Sequence, residues 1–454
     1  MNALYVICGL GLVSLIAELA NFKKQLIPIL IIGLIGAVTL SVLDWNTSLH
    51  YFNDMAIFDN VAIGFSVLIC SVAVLWFWMA GDYFREETHI TDQAALVIFV
   101  VAGSIIMTSF NNMAMLFLGI EVLSLSLYVL AGSRKENLFS NEAAFKYFLM
   151  GSFATGFLLM GMALVYGATG QFHLDKIASA IAAQPQLPGF FYAGVVLIIV
   201  GLSFKISAVP FHFWAPDVYE GSPTVITALM ATIVKTAAFA ALYRIVWYCF
   251  RDVQGSWLIA LQVITVLTLV LANVSAVFQL KVKRMLAYSS VGHAGYILLA
   301  LTTGGIDSAL TIIYYLAAYS AATLCAFSVL NRIEQQGYYS EENFNGLYKR
   351  SPFLAVAMTI ALLSMAGIPP LAGFIGKYLV FVSALKQGYV GIVIVAVVTS
   401  LIGVYYYLRV IVNMYFKSSP SGNIEVSSTL RVLLIILITL IIGLGVFPDV
   451  LTSI

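Results

Sequence analysis

Four charged residues interrupt the apolar stretches of this sequence. They are Glu121 in MAMLFLGIEVLSLSLYVLAG, Lys205 in GLSFKISAVPFHFW, Lys235 in ITALMATIVKTAAFAALY and Lys377 in SMAGIPPLAGFIGKYLVF. Buried amines and a carboxylate can handle protons. Burial disfavours a charged amine and a nearby carboxylate favours it, so moving Glu121 relative to Lys205 would switch that amine between holding and releasing a proton. Lysine can do this and arginine cannot, because arginine does not deprotonate in proteins. None of these mid-span charges is an arginine.

The alternative is that each lysine snorkels or pairs as a packing device. One carboxylate cannot neutralise three buried lysines, however. An ionisable group at the centre of a bilayer costs roughly 2.5–3.5 kcal/mol, so four amount to roughly 10 kcal/mol or more, against a net stability of about 5–15 kcal/mol. Proton or ion carriage is the chemistry that such a set offers. Lys146, in EAAFKYFLMGSFATG, lies closer to a span end, where snorkelling competes evenly with a place on a proton path. His293 stands among Tyr288, Ser289 and Ser290, a hydroxyl-rich face suited to a proton relay. His212, in VPFHFWAPDVYEGSPT, reads as a hydrogen-bonded loop histidine, and the Glu86–Glu87 pair as a solvated loop.

Other chemistries lack their residues. Cys8, Cys70, Cys249 and Cys325 are scattered singly, with no CxxC or Cys/His spacing for a zinc or iron–sulfur site. No GxGxxG or GxxxxGK[ST] phosphate loop occurs, and a net charge of +1 gives no reason to expect nucleic acid.

The elements that must position the charged residues are membrane helices. Of 454 residues, 61% are hydrophobic and 9% charged, with a mean hydropathy of +0.99, far from the balance of soluble domains. Apolar runs define about fourteen spans, at roughly 3–20, 26–43, 58–80, 93–110, 113–131, 143–168, 189–209, 224–250, 257–278, 285–304, 307–331, 353–385, 389–415 and 430–447. The first run is followed rather than preceded by its lysines, Lys23 and Lys24, which makes it a span and not a signal peptide.

Basic residues gather on the cytoplasmic side of short loops. Lys23, Lys24, Arg85, Arg134, Lys135, Lys281, Lys283, Arg284, Arg332, Lys349, Arg350 and Lys417 fall in odd-numbered loops, against Lys176, Arg251 and Lys386 in even-numbered ones. Twelve against three places the odd loops in the cytoplasm and both termini outside. Proline in a helix removes a hydrogen bond at about 3 kcal/mol. At membrane depth such a break is tolerated where it lines a protein-buried or watery cavity. The seventh and twelfth spans each combine glycine or proline with a lysine, as in discontinuous transporter helices, but the lysine precedes the proline in one and follows it in the other.

The runs FKISAVPFHFWAPDVYEGSPT, GIEVLSLSLYVLAG, KRMLAYSSVGHAGY and GIPPLAGFIGK together resemble the antiporter-like membrane subunits of respiratory complex I. The resemblance implies an all-α polytopic membrane protein of fourteen helices, with two inverted five-helix repeats and broken helices 7 and 12. It implies N-terminal helices over 1–92, a first repeat over 93–250, a second over 251–415 and a last helix over 416–454. It also implies that Glu121, Lys205, Lys235 and Lys377 carry protons, coupled to NADH oxidation and quinone reduction on other subunits that hold flavin (FMN) and iron–sulfur clusters. No cofactor is implied on this chain. Expected partners are M- and K-type neighbours, the lateral helix of the L-type subunit and membrane lipid. A sodium/proton antiporter subunit shares these motifs and is the alternative.

Overall fold

The computed structural model describes every residue except 1, 21, 87, 88, 185, 336–343, 419–421, 453 and 454. Residues 336–343 of the loop assigned to the cytoplasm, and the Glu86 and Glu87 side chains, therefore lie outside the described residues. Backbone groups away from water must bond one another, and a helix achieves this within one segment. The apolar runs accordingly fold as α1 (Asn2–Ile16), α2 (Leu26–Leu43), α3 (Asn60–Glu86), α4 (Ile90–Ser109), α5 (Met113–Ala131) and α6 (Leu138–Thr169). After α7 (Leu174–Ala183) come α8 (Gly189–Lys205), α9 (Trp214–Gly221), α10 (Thr224–Leu229), α11 (Lys235–Arg244), α12 (Gln254–Val277), α13 (Val282–Leu301) and α14 (Gly305–Glu334). The chain ends with α15 (Leu347–Arg350), α16 (Pro352–Ala366), α17 (Ala372–Lys386), α18 (Val390–Phe416), α19 (Ser428–Val446) and α20 (Asp449–Thr452). A short antiparallel hairpin, β1 (Leu49–Tyr51) and β2 (Ala56–Phe58), joins α2 to α3.

Among the described residues, ten helical segments are long and apolar enough to cross a membrane, and α1, α8 and α16 are shorter apolar helices. Every expected span coincides with helix. The seventh crossing breaks after α8, and the twelfth divides into α16 and α17 around Gly367–Leu371. The eighth is one run from Thr224 to Cys249 that contains two π-helical stretches, Met230–Val234 and Ile245–Cys249. The polar stretch before Gly189, expected as a loop, folds in part as α7, whose apolar side buries Leu174, Ile177 and Ile181.

The chain forms two compact units. The first holds Met1–Ser207 and Ile233–Leu261, the second Ala208–Thr232 and Gln262–Ile454. In the first, α6 and α8 approach closely because Gly161 and Gly194 face each other. A Cβ on Gly161 would lie 2.8 Å from the Gly194 carbonyl oxygen, and one on Gly194 would lie 2.9 Å from that of Gly161. Small residues are what permit such contact between apolar helices. Asn112 and Asn137 accept from backbone N–H groups at the starts of α5 and α6, which fixes where each helix begins.

Candidate functional site

In the first unit, Lys205 is the last residue of α8 and is buried. Its Nζ donates to Ser124 Oγ of α5 at 2.6 Å, and Ser124 in turn donates to the Ile120 carbonyl. The amine also lies 5.8 Å from the ring centres of both Tyr128 and Tyr147, within cation–π range. Glu121, half-buried on α5, accepts a hydrogen bond from Thr155 of α6 at 3.0 Å. Glu121 and Lys205 are not within the 4.0 Å of an ion pair. The expected Glu–Lys couple is thus a lysine seated on a serine, with the glutamate one helical turn along from that serine.

The second unit arranges its lysine differently. The last four carbonyls of a helix lack intrahelical partners. Lys377, on α17, reaches back across the break and donates to the Ala366 carbonyl at the end of α16, at 2.8 Å, and to Ser400 Oγ of α18 at 2.8 Å. Its amine stands 4.9 Å from the Tyr296 ring centre. Gly367, with φ +85, makes this possible: a Cβ there would meet Lys377 Cδ at 2.9 Å and Nζ at 3.3 Å. Both lysines therefore belong to the C-terminal end of a first half-helix, where partial negative charge favours a cation. Lys205 is carried by that end and Lys377 reaches it, which accounts for the reversed order of lysine and proline.

Lys235 starts α11, fully buried, directly after the first π-helical stretch. Such stretches recur at functional positions because they rotate the side chains that follow. Lys146 stands apart, on the outer side of α6 in a half-exposed ion pair with Glu142 at 2.7 Å. His293 sits in a buried cluster of hydroxyls. Its Nδ1 is 2.8 Å from the Tyr315 hydroxyl and its Nε2 3.2 Å from that of Tyr407. Ser289 bonds Tyr407 and Ser290 accepts from Tyr319, whereas Tyr288 makes none of these contacts. A cavity of about 10 Å³ touches His293, Tyr315, Tyr319 and Ser364. His212 is buried in the turn before α9 and is hydrogen-bonded to the Pro210 backbone, as expected of a loop histidine, while its Nδ1 has no partner among the described residues.

Two arginines inside spans escaped the sequence reading: Arg409 of α18, whose guanidinium donates to the Val277 and Gln279 carbonyls, and Arg244. Arg244, at the end of α11, is 1% exposed. It pairs with Asp59 through contacts of 3.0 and 2.9 Å, donates to the Phe110 carbonyl at 3.1 Å and stacks on Tyr248. The absence of arginine from the mid-span charges is thus corrected. Arg244 is a fastened structural charge, unlike the lysines. Its signal was the only acidic residue at the start of the third span, Asp59, 185 residues away in sequence.

A polytopic helical membrane protein in which two crossings break beside a buried lysine belongs to the class that moves protons or ions. The family model described as "NADH:quinone oxidoreductase/Mrp antiporter, TM" matches residues 110–403. The NADH-quinone oxidoreductase subunit N of Cytophaga hutchinsonii is 41% identical, with 100% of this chain and 99% of that protein covered. A chain of respiratory complex I from Thermus thermophilus is 32% identical with a TM-score of 0.85, covering 99% of this chain and 98% of its own. A chain of the Mrp complex from Dietzia sp. has a TM-score of 0.88 at 20% identity, a likeness of fold. The chain belongs to the NADH:quinone oxidoreductase/Mrp antiporter family of membrane subunits.

Proposed function

We propose that this chain is a proton-translocating membrane-arm subunit of an NADH-quinone oxidoreductase. The observation that carries the reading is the pair of broken helices, each presenting a buried lysine amine on neutral oxygen atoms with no carboxylate within 4.0 Å among the described residues. Neutral partners tolerate both the amine and the ammonium, so the group can cycle. An amine locked to a carboxylate would hold its proton.

In this reading Glu121 acts on Lys205 through space. The proton passes by way of Lys235 toward Lys377 and the outer side, with His293 on the path and Lys146 near its first half. Moving one charge against 100 mV takes about 2.3 kcal/mol, the work that quinone reduction on other subunits must supply. Those subunits hold the flavin and iron–sulfur centres. M- and K-type neighbours and the lateral helix of an L-type subunit contact this chain, and lipid covers its remaining apolar faces. Both termini face the periplasm, and helices over 93–250 and 251–415 form the two repeats. Identity of 41% over the whole chain to an oxidoreductase subunit supports this reading over a sodium/proton antiporter, to which the likeness is 20% identity in a shared fold.

The test is substitution at Glu121 in the assembled complex. Glu121→Gln is expected to impair proton pumping with assembly intact, and Glu121→Asp to retain more, because the charge survives at shorter reach. Equal loss in both variants, together with unassembled complex, would assign Glu121 to packing instead.

A further inference from the structure

A second buried carboxylate lies in the second unit, far along the chain from either break. Glu334 ends α14 and is 8% exposed. A helix C-terminus is the unfavourable end for a negative charge, and a buried carboxylate is costly unless well paired. Among the described residues Glu334 has one close hydroxyl donor and one cation at the edge of ion-pair range. It accepts from the Thr224 hydroxyl, and the Lys283 amine is 3.8 Å away, beyond the 2.7–2.9 Å typical of a charged hydrogen bond. Lys283 donates instead to the Ser222 carbonyl at 2.7 Å. The other nearby cations are engaged elsewhere: Lys281 with Glu220, and Arg284 with Asp217 and Glu220. This end of α14 is the one that the basic residues assign to the cytoplasm.

From Glu334 a polar stripe runs inward along α14. At 100° per residue, positions 334 and 323 differ in direction by about 20°, and 323 and 319 by about 40°. Tyr315 and Tyr319 continue the stripe at the same spacing. The hydroxyls of Thr323 and Ser320 are buried; Thr323 lies in hydrogen-bond reach of the Tyr319 hydroxyl, and Ser320 has no partner among the described residues. Tyr319 donates to Ser290 at 2.8 Å and its ring lies 4.9 Å from that of His293. His293 then meets the Tyr315 hydroxyl and the small cavity, whose size suits one water molecule. Tyr315 stacks on Tyr296 at 6.4 Å, the Tyr296 hydroxyl is hydrogen-bonded with Ser400, and Ser400 meets the Lys377 amine at 2.8 Å, so hydroxyls reach the amine.

We propose that Glu334 is the proton-loading group of the second unit, feeding Lys377 along this stripe. The carboxylate takes one proton from the cytoplasmic side and becomes the acid. Each hydroxyl and the imidazole accept one proton as they give up their own, and the Lys377 amine ends as the ammonium. Between Glu334 and Thr323, roughly 16 Å apart along the axis, transfer runs through water past Asn331. The second unit thus has its own inlet and does not depend on a proton arriving from Lys205. This rests on the proton-translocating reading above.

The experiment uses the assembled complex in membrane vesicles and reads quinone-linked NADH oxidation and proton uptake per NADH, normalised to assembled complex. Glu334→Gln keeps the acceptor for Thr224, so a purely structural role leaves pumping at the wild-type level and overturns the proposal. Loading predicts a loss of about tenfold or more. Glu334→Asp retains most of the rate under loading. Glu334→Gln/Lys283→Gln stays as slow as the single variant. Recovery in that double variant would make Glu334 a counter-charge to Lys283 and overturn the proposal. Should Glu334→Gln not assemble, Thr323→Val decides: slowed pumping supports the stripe and wild-type pumping overturns it. Lys377→Met is run alongside. If it fails while Glu334→Gln pumps normally, only the inlet is wrong; if both pump normally, the translocating reading itself is wrong.

Discussion

The two breaks seat the same amine in opposite ways. Lys205 depends on another helix: among the described residues its one hydrogen-bond partner is Ser124 of α5, a turn away from Glu121, and the rings of Tyr128 and Tyr147 lie within cation–π range. Lys377 depends on its own crossing. It is bonded to the carbonyl that the break exposes and has Ser400 as a second partner. The first seat can be altered by any shift of α5 or of the charge on Glu121. The second is fixed by the backbone of the break itself. An amine that must respond to a distant event suits the first arrangement, and one that must receive and release protons at a constant place suits the second. The order of lysine and proline in the sequence matters less than where the amine finishes relative to the end of the first half-helix.

The strongest way to break this contrast is at the backbone of the breaks. Gly367→Ala puts a Cβ against the Lys377 stem and forces alanine into a left-handed conformation, at about 1–2 kcal/mol for the backbone alone. It is expected to dislodge Lys377 and depress pumping about as strongly as removing the amine. The first break offers the converse. Ser207 already has φ 60 without being glycine, so Ser207→Gly should leave pumping unchanged and stabilise the folded chain slightly. Vesicle pumping assays and thermal inactivation of both variants make the check. A harmless Gly367→Ala would mean that the break does not position Lys377.

A smaller effect separates the hydroxyl partners. Ser124→Ala removes the one hydrogen bond that the Lys205 amine makes among the described residues, a loss of about 1.5–3 kcal/mol for a charged donor. Ser400→Ala leaves Lys377 its carbonyl partner and should cost about 0.5–1.5 kcal/mol. Turnover of the two variants, at equal assembled complex, should fall in that order. The reverse order would show that Lys377 is the more loosely held amine.

Much of the fold was legible in the sequence, because length and apolarity are enough to mark a membrane helix. All the expected spans are helical, and Lys205, Lys235 and Lys377 are buried as their positions in apolar runs implied. What they touch was not legible. A helix that is apolar all round carries no pattern saying which side meets a neighbour. Nothing in the sequence therefore selected Ser124 or Ser400 from the other hydroxyls, or gathered Tyr296, Tyr315 and Tyr407 near His293 and Lys377. Lys146 and Lys205 looked alike as lysines in apolar runs, yet one lies in an outer ion pair and the other in the core. Arg244 and Asp59 are joined by packing between α11 and the start of α3, which sequence spacing does not encode.

The most direct measurement compares Lys377→Arg with Lys377→Met in the assembled complex, reading quinone-linked NADH oxidation and membrane potential in vesicles. Methionine keeps an apolar stem of similar length and removes the titratable group. Arginine keeps the charge and cannot release a proton. If Lys377 cycles between amine and ammonium, both variants lose proton-coupled turnover. Wild-type turnover in Lys377→Arg, with Lys377→Met inactive, would make Lys377 a fixed positive charge and contradict its role as a proton carrier.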